Sequence, residues 1–422
     1  MASPLRGTVR VPGDKSISHR ALILAALAVG ESRIEGLNPG SDVAATRAAL
    51  QAMGARIEAA ADGALAVRGV GAGGLLQPEA RFDCGNSGTS ARLLAGLCAS
   101  HPIHAELIGD ASLSRRPMDR VAGPLRRIGA RIEGDFLPLR IEGLCPAIPT
   151  RHRLEIPSAQ VKSALLLAGL NTPGITEVIE TAPTRDHLVR MLRLFGAEID
   201  SDGVRIALRG EAQLRPQRVA IPGDASAAAF LAVAALIVPG SAIRIAEVGA
   251  NPMRTGLYDV LREMGGDLAF ESGREVSGEP VADLVVRHSA LTGIDVPAAI
   301  APRMIDEYPI LFIAAAFARG TTRAAGLAEL RLKESDRIAA MAAGLHAAGV
   351  AVEESADALA VTGTGGAPLP GGGAIAAGLD HRVAMSFAVA GLHSIEPIGV
   401  AGMDAVRTSF PGFAAALDGL RA

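Results

Sequence analysis

Apolar residues in this chain gather into runs of helical length, each followed by Gly and a β-rich segment. Six such runs are visible: SISHRALILAALAVGESRIEG from Ser16, SGTSARLLAGLCASHPIHAEL from Ser87, SAQVKSALLLAGLNTPGITEVIE from Ser158, DASAAAFLAVAALIVPGSAIRIAE from Asp224, DEYPILFIAAAFARGTTRAAGL from Asp306 and DHRVAMSFAVAGLHSIEPIGVAG from Asp380. Their starts lie roughly 65 to 80 residues apart, the mark of one supersecondary unit repeated along the chain. A second signature follows most copies: LQAMGARIE at Leu50, LRRIGARIE at Leu125, LRLFGAEID at Leu192, LREMGGDLA at Leu261 and LHAAGVAVE at Leu345. Its Gly suits a left-handed residue just past a helix, and the alternation after it suits a strand. Each unit is therefore predicted as helix, strand, helix, strand, with further strand segments between.

Every first helix is predicted to open on Ser or Asp, whose side chains cap free backbone N–H groups. Helix N-termini attract anions, so six converging starts would make an anion site. VPGDKS at Val11 and IPGDAS at Ile221 place the same turn before units one and four. This predicts two crossings, near 11–14 and 221–224, between a domain of 14–221 and a domain of 1–13 plus 222–422. A cleft between the two is the expected ligand site, and its closure would exclude water.

Composition narrows the function. A net charge of −3 argues against binding nucleic acid by phosphate neutralisation, and 3% aromatics with no Trp leave little to stack on. Cys84, Cys98 and Cys145 have no metal or disulfide spacing, so free thiols in a reducing, cytoplasmic compartment are expected. No signal or transit segment is read at the start, and the longest apolar stretch, Ala225 to Pro239, is short for a membrane span. Only three of 41 basic residues are lysine: Lys15, Lys162 and Lys333.

GDKSISHR places Lys15, Ser16 and Arg20 around one helix start, a good phosphate or carboxylate site. CGNSGTSAR brings Gly85 and Gly88 before a helix, and GDASLSRRPMDR supplies Arg115, Arg116 and Arg120. PSAQVKSA adds Ser158, Gln160 and Lys162, and PTRDH adds Arg185 and His187. IDEYP sets Asp306 and Glu307 at a predicted helix start, LRLKESDR carries Lys333, Glu334 and Arg337, and LDHRVAMS carries Asp380, His381 and Arg382. Cations for anionic ligands beside two carboxylates suit transfer between phosphorylated or carboxylated small molecules. No metal-ligand spacing and no dinucleotide fingerprint is present, so no metal and no cofactor are expected.

These stretches, with GDASAAAF and TSFPGF, resemble the EPSP synthase (3-phosphoshikimate 1-carboxyvinyltransferase) family from end to end, in the family's order. The SAQVKSA and DEYPI stretches resemble the bacterial class that includes glyphosate-tolerant enzymes. The resemblance implies an α/β fold of two domains, each of three βαβαββ repeats, with helix N-termini facing the cleft. It implies transfer of the enolpyruvyl group of phosphoenolpyruvate to the 5-hydroxyl of shikimate 3-phosphate, in chorismate biosynthesis, by a cofactor-free monomer with small-molecule partners alone. It further implies that Lys15, Ser16, Arg20, Ser158, Ala159 (through its backbone), Gln160, Arg185, Asp306 and Lys333 hold shikimate 3-phosphate. Lys15, Gly88, Arg116, Gln160, Arg337 and Arg382 would hold phosphoenolpyruvate. Asp306, Glu334 and Lys15 would be catalytic.

Two positions depart from the pattern. Thr408, beside Arg407, stands where many members carry a lysine. Gly88 stands where tolerant members often have Ala, so this position leaves room for glyphosate, while other differences, such as Leu93 where many members have Pro, could confer tolerance by another route. Two rival readings are a UDP-N-acetylglucosamine enolpyruvyl transferase and a non-catalytic anion-binding relative. The first typically has Lys-Asn where this chain has Lys15-Ser16.

Overall fold

The computed structural model describes residues 3–421. The chain forms two compact units. The first is Gly13–Ile221 with Val276–Glu279; the second takes in the chain up to Pro12, Pro222–Glu275 and everything from Pro280 onward.

The first unit is three βαβαββ repeats, each with its own four-stranded sheet. Repeat one runs through helix Lys15–Leu27, strand Val29–Glu35, helix Ser41–Ala52 and strands Arg56–Ala59 and Leu65–Val70. Its outer strand is Arg218–Ala220, which returns from the end of the unit to lie parallel to Val29–Glu35, Val219 opposite Ile34. The other pairings in that sheet are antiparallel. The second and third sheets repeat the pattern, one parallel pair and two antiparallel ones.

Helices Lys15–Leu27, Gly88–Ala99 and Ala159–Leu170 are apolar on nearly all sides and form the buried centre of this unit. Gly96 lets two of them meet: a Cβ there would lie 2.2 Å from the carbonyl oxygen of Ala164. The second helix of each repeat buries one face and ends at a left-handed glycine. Gly54, Gly129 and Gly196 here, and Gly265 and Gly349 in the second unit, all have φ between 81° and 101°.

The second unit follows the same plan. Strand Arg6–Arg10 lies parallel to Ala242–Gly249, Arg6 opposite Ala242 and Arg10 opposite Ala246. Helices Ala225–Ile237, Tyr308–Phe317 and His381–Ala390 are its buried centre. Its third sheet has only two strands, Ala374–Ala376 and Gly399–Ala401. The chain then turns through Met403–Thr408 into helix Phe413–Asp418.

Three details differ from the sequence expectations. Helix Lys15–Leu27 is capped by Asp14, whose carboxylate accepts from the Ile17 N–H at 2.9 Å, so Ser16 lies inside the first turn. Asp306 lies one residue ahead of its expected place: it sits in a turn between helices Ala301–Met304 and Tyr308–Phe317, and the position just before the second helix is Glu307. The remaining four starts are capped by Ser87, Ser158, Asp224 and Asp380. Finally, the stretch 222–422 is interrupted. Strands Asp267–Val276 and Glu279–Arg287 form a hairpin whose tip belongs to the first unit, where Ser277 accepts from the Ala220 N–H and Gly278 accepts from Arg190.

Candidate active site

In the first unit, Lys15 opens its helix with Nζ 3.1 Å from the Asp42 carboxylate. Arg20 is buried. It donates to the Ser16 carbonyl at 2.9 Å and to the Ser163 hydroxyl at 2.8 Å, and Ser163 donates to the Ala159 carbonyl at 2.6 Å. This chain of bonds ties Lys15, Ser16 and Arg20 to the helix start that carries Ser158, Ala159 and Gln160. Ser158 Oγ caps that start by accepting from the Val161 N–H. Gln160 donates to Thr89 at 2.9 Å, which joins the same helix to the start of Gly88–Ala99.

Arg116, buried, closes the series. It donates to the Asn86 carbonyl and side chain and to the Ser112 hydroxyl. A Cβ at Gly88 would lie 2.6 Å from Arg92 Nη1 and 3.3 Å from Arg116 Nη1. Arg115 is exposed and Arg120 half-buried. His19 sits under this site, held by Thr46 at 2.8 Å; burial, then the Lys15 and Arg20 charges, push its pKa well below the usual histidine value.

Lys162 and His187 take no part in this surface. Lys162 is buried against Glu180, and His187 is buried against Glu279, each at 2.7 Å. Arg185 stands between them in sequence and is half-buried.

The second unit gathers its predicted residues around Arg337, the first residue of helix Arg337–Ala347. Arg337 meets Asp306 at 3.4 Å, Glu334 at 2.5 Å and Asp380 at 2.8 Å. Burial would lower its pKa, but Asp380, Glu334 and Asp306 outweigh burial and raise it, so the guanidinium stays charged. Lys333 Nζ lies 3.6 Å from Asp306. Arg382 donates to the Asp306 carbonyl at 3.0 Å and lies 3.7 Å from Glu307. Asp306, Lys333, Glu334, Arg337 and Arg382 thus form one cluster.

Several residues that hold these groups were not read from the sequence as their partners. Glu307 is buried between Arg382 and Arg254 and accepts from Ser226. Asp380 caps its own helix and also receives Arg337 and Ser335. Asp42 and Asn86 serve Lys15 and Arg116. Of these, Asp380 had a signal, a carboxylate at a helix start; Arg254, in NPMR, had none.

Arg407 is exposed and 4.0 Å from Asp404, while Thr408 donates to the Ala405 carbonyl. Cys84 and Cys98 are buried, and burial pushes both thiols up to about 12, so neither is a ready nucleophile. Among the described residues, no three His, Cys, Asp or Glu side chains are placed to hold a metal ion, and no helix is long and apolar enough to cross a membrane.

The family model for EPSP synthase (3-phosphoshikimate 1-carboxyvinyltransferase) matches residues 1–417. A curated 3-phosphoshikimate 1-carboxyvinyltransferase of Sphingopyxis alaskensis is 60% identical, over 99% of this chain and 96% of that one. The solved EPSP synthase of Acinetobacter baumannii superposes with a TM-score of 0.88 at 42% identity, covering 100% of this chain and 97% of its own. The enolpyruvyl transferase NikO of Streptomyces tendae shares the fold, with a TM-score of 0.76 at 19% identity over 99% of this chain and 95% of its own.

Proposed function

The chain belongs to the EPSP synthase family, and on that premise we propose how its residues divide the work of the reaction. It is a 3-phosphoshikimate 1-carboxyvinyltransferase: the 5-hydroxyl of shikimate 3-phosphate adds to C2 of phosphoenolpyruvate, and inorganic phosphate leaves. In our reading Lys15, Ser16, Arg20, Ser158, the Ala159 backbone, Gln160, Arg185, Asp306 and Lys333 hold shikimate 3-phosphate. Lys15, Gly88, Arg116, Gln160, Arg337 and Arg382 hold phosphoenolpyruvate. The two compact units are its two domains, and the enzyme works as a cytoplasmic monomer on small molecules alone.

Asp306 takes the proton of the 5-hydroxyl as its oxygen attacks C2. Glu334, with Lys15, delivers a proton to the C3 methylene. Elimination then breaks the C2–O bond to phosphate and removes a proton from the new methyl group. The observation that supports the base role of Asp306 is its place between two cations, Arg337 at 3.4 Å and Lys333 at 3.6 Å; the acid role of Glu334 rests on the family resemblance. Arg337 and Lys333 keep Asp306 ionised and able to accept a proton, and cations beside the substrate stabilise charge as it develops.

The test is phosphate release from phosphoenolpyruvate, with and without shikimate 3-phosphate, in buffer containing a chelator. Release that requires shikimate 3-phosphate is the expected result. Release with UDP-N-acetylglucosamine instead, or none with either acceptor from folded protein, would overturn it.

A further inference from the structure

We propose that Lys162 is a positioning residue that sets the place of Arg185, acting through Glu180 and the Thr184 backbone. This inference rests on the reading of Arg185 as a ligand of shikimate 3-phosphate. Lys162 lies one turn into helix Ala159–Leu170, where its N–H bonds to the carbonyl of the Ser158 cap. Its side chain is 3% exposed and that of Glu180 is 0% exposed. Nζ donates to Glu180 Oε2 at 2.7 Å and to the Thr184 carbonyl at 3.1 Å. The Thr184 hydroxyl donates to the other Glu180 oxygen. Three bonds therefore close the segment 180–184 on itself and on the helix.

Arg185 is the next residue. Just past it, the chain is fixed again: Arg190 grips Asp186 at 2.7 Å and His187 pairs with Glu279. The backbone at Arg185 is thus pinned on both sides. The same helix holds Arg20 through Ser163 and carries Gln160 at its start. Arg20, Gln160 and Arg185 take their spacing from one rigid element.

A buried ion pair is a poor way to gain stability, since an apolar pair of similar size is often as stable or more so. What an apolar pair cannot do is donate to a chosen carbonyl. Burial lowers the Lys162 pKa, Glu180 opposes that, and nearby Arg20 adds to it, so the ammonium is kept there at a cost. That cost fits a chain which uses arginine almost everywhere else.

The experiment is steady-state kinetics with both substrates varied, on Lys162→Met, Arg185→Ala and the double variant, each with its melting temperature. Lys162→Met is expected to raise KM for shikimate 3-phosphate about tenfold or more, the loss typical of a charged hydrogen bond, with kcat and KM for phosphoenolpyruvate changed little. In the Arg185→Ala background the same change is expected to add nothing. An unchanged KM in Lys162→Met, or effects that multiply in the double variant, would overturn the proposal. An unchanged KM in Arg185→Ala alone would overturn both it and the reading of Arg185. A purely structural lysine would lower the melting temperature and leave both KM values alone, which also counts against the proposal. If Lys162→Met does not fold, Lys162→Met/Glu180→Leu replaces the ion pair by an apolar one and must give the same KM shift.

Discussion

The two units share one repeat plan but hold their cations differently. In the first, Arg20 and Arg116 rest on carbonyls, hydroxyls and an amide, and Arg92 donates to the Gly88 and Pro117 carbonyls. In the second, Arg337 rests on three carboxylates, and Arg382 and Arg254 share Glu307. Neutral acceptors orient a guanidinium without cancelling its charge, which leaves that charge for an anionic ligand. Carboxylates cancel the charge and add groups that move protons. The same fold thus sets these arginines in two ways, and the difference lies in what surrounds each one.

The largest effect expected from this division is on kcat. Glu334→Gln and Asp306→Asn remove a proton-transfer group and leave most of the positive charge in place. Each is expected to lower kcat by roughly 10²- to 10⁴-fold, with shikimate 3-phosphate binding by calorimetry largely kept. Equal losses in binding and turnover would erase the distinction between the halves.

Next in size is stability. Arg337→Ala strands Asp306, Glu334 and Asp380 without their shared partner, a loss of about 3–5 kcal/mol for a buried pair. Arg116→Ala frees the Asn86 and Ser112 acceptors, which are neutral, and is expected to cost far less, while raising KM for phosphoenolpyruvate by about 10- to 100-fold. Chemical denaturation of the two variants decides the matter; equal losses of stability would show that the neutral and acidic settings are equivalent.

Much of the repeat plan was legible in the chain because helix ends and buried helices leave local marks. Gly54, Gly129, Gly196, Gly265 and Gly349 all follow a helix with positive φ, as their spacing implied. The fifth start misled, because Asp306 falls before the cap position and Glu307, which occupies it, turns its carboxylate to Ser226, Arg254 and Arg382 instead. The motif cations were legible as residues. Their partners were not: Asp42 and Arg254 carry no sequence mark of their own, and Glu307 was marked only as a helix start, since all three meet these cations only through the fold. The hairpin tip at Val276–Glu279 was hidden for the same reason: its hold is the buried pair of Glu279 with His187, 92 positions away.

A smaller effect is expected at Gly88. A methyl there must displace Arg92 Nη1, 2.6 Å away, and press on Arg116 Nη1 at 3.3 Å. Both are ends of flexible side chains, so the unit is expected to fold with its melting temperature nearly unchanged. On the proposed reading, an anion beside Arg116 would lose room, and glyphosate more than the smaller phosphoenolpyruvate. Gly88→Ala is expected to raise the glyphosate inhibition constant more than KM for phosphoenolpyruvate. An unchanged inhibition constant would mean that Arg92 and Arg116 yield freely, and that the neutral setting of the first unit is softer than its bonds suggest.

The smallest effect distinguishes the halves by acid. His19 and His152 are buried in the first unit. Burial, with help from Lys15 and Arg20, holds His19 well below its usual pKa, and burial, with help from Arg127, lowers His152 to about 4. A histidine lowered on folding binds fewer protons folded than unfolded, so its contribution is complete above about pH 6.5 and is lost as the pH falls below that value. For His152 the loss is roughly 1–2 kcal/mol by pH 5. Hydrogen exchange on the intact chain is expected to show helix Lys15–Leu27 and strand Arg151–Arg153 losing protection between pH 7 and pH 5 before helix Ala225–Ile237 does. His152→Leu is expected to flatten that pH dependence. If the central helices of both units open together at pH 5, the acid sensitivity belongs to the chain as a whole, and this distinction between the halves fails.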